Sequence, residues 1–332
     1  MSPLTVGECQ RRLWHSLIPA VPVPFKATGE IDAAAQERYI TYMARQPIAG
    51  VAVWVHTGRG LHLTREQRVQ ILRAWSEGLG SNKLLIAGVG GSPEHAADFS
   101  DYLASALEMA HDALEHGAHA FLVHPPRLFH HVADLNELVL NYHKQLASPG
   151  APLILFYLYE AAGGIAYPPE LLRQLLALPE VLGIKLATLD SVITFQSLAK
   201  LLAQDFPQKL LITGEDRFLG YSLMCGAQAA LIGMGAACTS LQHTLMQAYF
   251  EGRAAEFLEY SRAVDRLSQV TFIPPMEGYI RRMLWALVHL GVLGRESAYD
   301  PWGPDIPEGD FFELGDTLRA LGELPTSGAA RT

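Results

Sequence analysis

The stretch Val181-Leu182-Gly183-Ile184-Lys185-Leu186-Ala187-Thr188 is apolar and β-prone, with one lysine set inside it. An unbroken run of Val, Leu and Ile reads as a parallel strand buried on both faces. Lysine is rarely buried without a compensating role. In a dry pocket, desolvation disfavours the ammonium form and lowers the pKa. The neutral amine is then the nucleophile that forms a Schiff base with a carbonyl compound. The alternative is a lysine at the strand end that reaches solvent or a carboxylate, and this segment alone leaves both open.

Working outward, the same kind of strand recurs on either side. Residues 17–25 are apolar but broken by Pro19, Pro22 and Pro24, so the paired part must be short. Further strands are expected at 49–55, 83–89, 119–124, 153–157, 209–214 and 228–233. Helical patterns separate them. Residues 31–45 carry Asp32 as a cap, Thr64 with Gln67 three residues on forms a capping box, and Pro168-Pro169-Glu170 opens another helix. Eight alternating strand–helix units predict an α/β fold of the (β/α)8 TIM-barrel type. A doubly wound open sheet competes, but no Gly-x-Gly-x-x-Gly follows the first strand. Beyond residue 253 the strand signal stops, and helices are expected at 254–270, 276–293 and 311–321. The chain therefore divides into a barrel, 14–252, and a C-terminal helical extension, 253–325. Residues 1–13 read as a loose arm or short helix, and 325–332 as an unstructured tail.

Composition narrows the function. The 332 residues include 49% hydrophobic and 18% charged, with a net charge of -9, which argues against a nucleic-acid surface. Cys9, Cys225 and Cys238 form no Cys-x-x-Cys pair, so neither a disulfide framework nor a zinc site is indicated, and a reducing, cytoplasmic setting fits. The first residues lack the apolar core of a signal peptide, and no run approaches the roughly 18 apolar residues of a membrane span.

In such a barrel the chemistry belongs at the C-terminal strand ends. His56, Thr57, Arg127, Tyr157, Lys185 and Thr188 fall there. Tyr157 closes the fifth strand beside Lys185 on the sixth, and adjacent strands lie about 4.8 Å apart. A tyrosine beside an imine-forming lysine can act as general acid and base, or it can be a core tyrosine with its hydroxyl at the rim. His56-Thr57-Gly58 offers a hydroxyl and backbone N–H groups to a carboxylate, or is a tight turn. Gly233-Met234-Gly235 suits an anion site or close packing. The 13 histidines raise a metal-hydrolase reading, but no His-x-His marks the first strand and no His-Glu-x-x-His occurs.

The order of motifs resembles the dihydrodipicolinate synthase / N-acetylneuraminate lyase family over residues 17–293. The resemblance rests on Pro24-Phe25 with Gly29-Glu30-Ile31-Asp32, Gly50-Val51 leading to Thr57-Gly58, and Leu63-Thr64-Arg65-Glu66. It continues through Ala87-Gly88-Val89-Gly90, Tyr157 with Gly164, and Gly183-Ile184-Lys185 with Thr188. It ends with Thr213-Gly214-Glu215-Asp216, Gly226-Ala227 with Gly233, and Leu290-Gly291-Val292-Leu293. This resemblance implies a class I aldolase or dehydratase, usually a homotetramer, that needs no metal or organic cofactor. It implies Lys185 as the imine lysine toward a 2-oxo acid, often pyruvate, and Tyr157 as proton relay. Thr57 and nearby amides, with Gly58, Thr188, Arg127 and Gly233, would bind the substrate.

Several positions depart from the pattern. His56 replaces the first threonine of the usual Gly-Thr-Thr-Gly-Glu and can serve as acid and base at neutral pH. Pro126 and Arg127 stand where a tyrosine pair is common, and Leu158-Tyr159-Glu160 where Asn-Val-Pro is usual. The arginine that holds the amino-acid substrate in the synthases matches Ala162, which points away from dihydrodipicolinate synthesis. The expectation is a cytosolic class I lyase with catalytic Lys185, Tyr157 and His56, acting on a small 2-oxo acid as a homo-oligomer, with neither nucleic acid nor membrane as partner. The lost relay residues motivate an alternative, a silent 2-oxo-acid sensor on the same barrel.

Overall fold

Eight strands lie side by side, all parallel: β1 (Leu17–Pro19), β2 (Gly50–Val53), β3 (Leu84–Val89), β4 (Ala120–Val123), β5 (Leu153–Leu158), β6 (Val181–Ala187), β7 (Leu210–Thr213) and β8 (Ala229–Ile232). Their order runs β1-β8-β7-β6-β5-β4-β3-β2, and a parallel bridge between Ala20 and Ala52 joins the two ends. The sheet is thus a barrel, as the eight sequence units predict. The computed structural model describes residues 4–92, 96–129, 131–189 and 191–324, with the backbone but not the side chain of Arg127. The tail expected at 325–332 lies outside the described residues.

Strand ends agree with the sequence reading to within a few residues. β1 is the shortest, because its prolines cannot donate to a ladder. The helices between strands are α2 (Ala33–Ala44), α3 (Arg65–Gly78), α4 (Phe99–Glu115), α5 (Leu135–Ala147), α6 (Pro169–Leu176), α7 (Val192–Asp205) and α8 (Leu219–Met224), with α9 (Thr239–Phe250) after β8. Asp32 caps α2 by accepting from the Ala35 amide, and Thr64 with Gln67 forms the capping box of α3.

The barrel interior is a separate apolar cluster, which includes Ile86, Leu122, Ile154, Phe156, Leu182 and Leu231. Helix α1 (Val6–Leu13) closes its N-terminal end: Cys9 and Leu13 join that cluster, and Gln10 Nε2 donates to the carbonyls of Leu182 and Gln208, both at 2.8 Å. The opposite end, where the strands finish, is left for the loops.

After β8 come α9 and then α10 (Ala254–Thr271), α11 (Tyr279–His289) and α12 (Glu308–Ala320). Helix α11 begins later than the sequence suggested, because residues 276–278 after Pro275 form a single 3-10 turn. Buried Arg282 fastens α11 to α12 through Asp310 (Nε to Oδ2, 2.9 Å) and donates to the Ile273 carbonyl at 2.8 Å. These segments return to the strand ends and build part of the site.

Candidate active site

Lys185 points into the barrel because of a slip in strand pairing. Leu153 pairs with Val181, but the next residue, Ile154, pairs with Gly183. Leu182 faces the interior, Ile184 and Leu186 face the helices, and Ala187 faces the interior again. A bulge of this kind re-aims every later side chain. Gly183 permits it, since a Cβ there would stand 2.3 Å from the Leu210 carbonyl oxygen. Lys185 is thereby set inward and is only 6% exposed.

The lysine lines a cavity of ≈ 50 Å³ at the C-terminal end of the strands, together with Thr57, Asp216, Gly233, Tyr279 and His56. Its Nζ faces the Phe156 ring, 4.4 Å from the centroid. Burial pulls the lysine pKa below its ordinary value, while the nearby carboxylates of Asp216 and then Glu215 oppose the drop. The same burial raises both acids. Glu215 goes to about 7 despite bonds from Thr188 and Leu189, and Asp216 rises although it accepts from the Met234 amide at 2.6 Å.

Tyr157 is not brought to Lys185. Register pairs Phe156 with Lys185, and Tyr157 with Leu186. Successive side chains alternate faces, so Tyr157 turns into the barrel–helix layer, where its ring meets Tyr167 edge-on at 5.9 Å. The expected relay tyrosine is thus on the far side of its strand, and Phe156 occupies the inward place.

His56 and Thr57 do reach the cavity. They form a 3-10 turn after β2, which ends at Arg59 in the left-handed region (φ 53°). Gly58 is part of this turn, and its amide donates to the Val55 carbonyl at 2.9 Å. Thr57 Oγ1 lies 2.9 Å from Tyr279 Oη. His56 Nε2 lies 2.9 and 3.1 Å from the two carboxylate oxygens of Glu277. Burial works to raise Glu277, but His56 and Arg59 outweigh it and hold the carboxyl at about 2. Buried Arg59 donates to Glu277 Oε2 (2.8 Å) and, through Nε and Nη2, to Asp300.

Thr188 braces the site from outside the cavity lining: its hydroxyl donates to Glu215 Oε1 at 2.9 Å, and the Leu189 amide donates to Oε2 at 3.1 Å. Gly233 leaves room for Tyr279, since a Cβ there would stand 2.8 Å from Tyr279 Cε2. Its turn also directs the Met234 amide at Asp216. The Arg127 side chain lies outside the described residues.

A second cavity of ≈ 260 Å³ adjoins the first and shares His56 and Leu158 with it. Arg59, His62, Tyr102 and His124 also line it. Among the described residues no group of three or more His, Cys, Asp or Glu is placed to hold a metal ion, and no helix is long and apolar enough to cross a membrane. Cys9, Cys225 and Cys238 are free thiols. Tyr279, Glu277 and Asp300 were not legible as site residues, because each reaches the site from more than 200 positions along the chain.

The chain matches the dihydrodipicolinate synthetase family over residues 14–309. It belongs to that family. Among relatives within it, a 4-hydroxy-tetrahydrodipicolinate synthase of Archaeoglobus fulgidus is 25% identical over 262 residues, covering 79% of this chain and 84% of the relative. N-acetylneuraminate lyase 2 of Escherichia coli O6:H1 is 22% identical over 292 residues, covering 88% and 89%. The crystal structure of YagE, a prophage protein of the dihydrodipicolinic acid synthase family from E. coli K12 in complex with pyruvate, superposes with a TM-score of 0.79 at 20% identity. It covers 92% of this chain and 98% of YagE. The barrel is therefore the dihydrodipicolinate synthetase barrel, and the chain is a lyase of that family.

Proposed function

We propose that this chain is a class I lyase that forms an imine between Lys185 Nζ and the ketone of a 2-oxo acid related to pyruvate. The observation that carries this reading is the lysine itself: inward, buried, and lowered in pKa by the loss of water around it. The amine lone pair attacks the ketone carbon, and one nitrogen proton moves to the oxygen. A further proton converts that hydroxyl to water, which leaves, and the protonated imine becomes an electron sink. It accepts the electron pair of a C3–H bond, or of a breaking C3–C4 bond, as an enamine. Thr57 is the substrate-carboxylate anchor of this reading, since it lines the cavity with Lys185. In this reading His56, which meets Glu277 and lines both cavities, exchanges a proton with an oxygen of the second reactant or leaving group.

Borohydride reduction in the presence of pyruvate, read by intact mass and peptide mapping, tests the reading. A reduced adduct on Lys185 is expected in the native protein, and none in Lys185→Arg, with the far-ultraviolet dichroism unchanged. Substantial turnover in Lys185→Arg sinks the mechanism. The turned-away Tyr157 favours one other reading, a binding protein without turnover on the same barrel. That reading predicts pyruvate binding with neither adduct nor C3 proton exchange.

A further inference from the structure

An imine mechanism needs a group beside Lys185 that can give up a proton and take one back. Tyr157 does not meet that need, because it faces the helices. Phe156, which faces the lysine, has no proton to exchange. Three observations on Tyr279 converge instead. It lines the Lys185 cavity although it stands at the first turn of α11, in the C-terminal extension. Its hydroxyl lies 2.9 Å from Thr57 Oγ1, which lines the same cavity. Its ring is fixed: it stacks on Phe272 (4.6 Å between centroids, 22° between planes), runs nearly parallel to His56 (15°), and fills the space that Gly233 leaves without a side chain. A phenol anchored on three sides, with its hydroxyl bonded to a residue of the reaction cavity, is preorganised.

We propose that Tyr279 is the proton-transfer group of the Lys185 imine, working with the Thr57 hydroxyl and supplied by the helical extension of the same chain. The proposal rests on the imine reading above. The phenol gives its proton to the carbinolamine hydroxyl, which leaves as water; the nitrogen lone pair closes the C=N bond. The phenolate exists only beside the positive iminium. It then takes the C3 proton, the C–H pair becomes the enamine double bond, and the iminium electrons return to nitrogen. The phenol is restored, and no other reactant is consumed. The reverse steps return a proton to C3. Burial and the neighbouring Glu277 keep the free phenol fully protonated, ready to donate in the first of these steps.

The consequence is visible without knowing the second substrate. In D2O the native protein should exchange the methyl protons of pyruvate for deuterium, followed by proton NMR. Tyr279→Phe keeps the ring and its stacking partners. It should still reach the full borohydride adduct on Lys185 on long incubation, more slowly than the native protein but with the same half-saturating pyruvate, while C3 exchange falls about 100-fold or more. That pattern separates proton transfer, which sets rates alone, from a structural role, which would also lower the final adduct yield and raise the half-saturating pyruvate. Thr57→Ser keeps the hydroxyl that meets Tyr279 and should retain most exchange. Undiminished exchange in Tyr279→Phe overturns the assignment and leaves the imine intact. So does a loss confined to Tyr159→Phe, since Tyr159 also lines the cavity. A native protein that gives no adduct with pyruvate removes the imine reading, and this proposal with it.

Discussion

The side chain of Lys185 crosses Gly214 so closely that a Cβ on the glycine would stand 2.6 Å from Lys185 Cε. The same atom would be 2.9 Å from the Leu186 carbonyl and 3.0 Å from Ala187 Cβ, so the lysine is the part that must give way. Gly214 opens the loop that carries Glu215 and Asp216, and one missing side chain therefore leaves room for the lysine near the two acids. Gly214→Ala should cost about 1–3 kcal/mol of stability through overpacking. Displacing Nζ by even about 1 Å should slow adduct formation roughly 100-fold. Initial rates of borohydride trapping and urea unfolding curves measure the two effects. Trapping at the native rate would show that Lys185 does not take this path.

The buried lysine also predicts a pH profile. Its pKa lies below the ordinary 10.5 because burial disfavours the ammonium, with Asp216 and Glu215 pulling the other way. As pH rises through that lowered value, the neutral amine appears earlier than in a free lysine, so the trapping rate should climb well below pH 10.5. In the window between the two values the unfolded chain binds more protons, so stability rises with pH there, and the burial penalty is greatest below it. Asp216→Asn removes the larger opposing charge and should move the climb to lower pH. Trapping rates for both proteins from about pH 6 to about pH 10 decide it; a shift toward alkaline pH in the variant contradicts the assignment.

The barrel was legible because its signals are local. A strand of this kind declares itself by a run of β-branched and aliphatic residues, and a helix start by Asp32 or by Thr64 with Gln67, all within a few positions. Lys185 was legible for the same reason: one charge inside an apolar strand is a contrast visible on its own. The face of β5 was not. Leu153–Leu158 is apolar on both sides, as buried parallel strands are, so the alternation that separates Phe156 from Tyr157 carries no polarity mark. Only the register with β6, shifted by the bulge at Gly183, settles the matter. The extension's contributions were hidden by distance, with Tyr279 lying 222 positions from Thr57. Glu215 and Asp216 entered only through the resemblance, as part of a loop motif, and no sequence rule says that both acids fold against the lysine.

Arg59 shows how firmly the extension is tied to the barrel. Its guanidinium is 7% exposed and is met by Asp300, whose side chain is 2% exposed, through Nε and Nη2. Removing one partner of a buried ion pair leaves the other uncompensated and typically costs 3–5 kcal/mol. Glu277 still reaches Nη1 when Asp300 is lost, so Asp300→Ala should sit at the lower end, about 3 kcal/mol. Chemical denaturation measures this directly. A loss below about 1 kcal/mol, the scale of a surface pair, would mean that Arg59 is solvated rather than buried against Asp300.

The proposed roles of His56 and Tyr279 divide the site between two steps. Tyr279 meets Thr57 in the Lys185 cavity, whereas His56 lies where that cavity joins the larger one, held by both oxygens of Glu277. On the proposed mechanism the imine and its enamine form in the first cavity, and the bond to the second reactant is made or broken toward the second. His56→Asn should therefore leave the Lys185 adduct and pyruvate C3 exchange near native levels. It should slow aldol formation from pyruvate and an aldehyde panel about 100-fold, the usual size of a lost general acid–base group. Glu277→Gln, which removes the anion facing the imidazole, should fall in the same direction with a smaller loss. If His56→Asn instead abolishes C3 exchange while aldehyde selectivity is untouched, the histidine serves the imine itself, and the division between the two cavities is wrong.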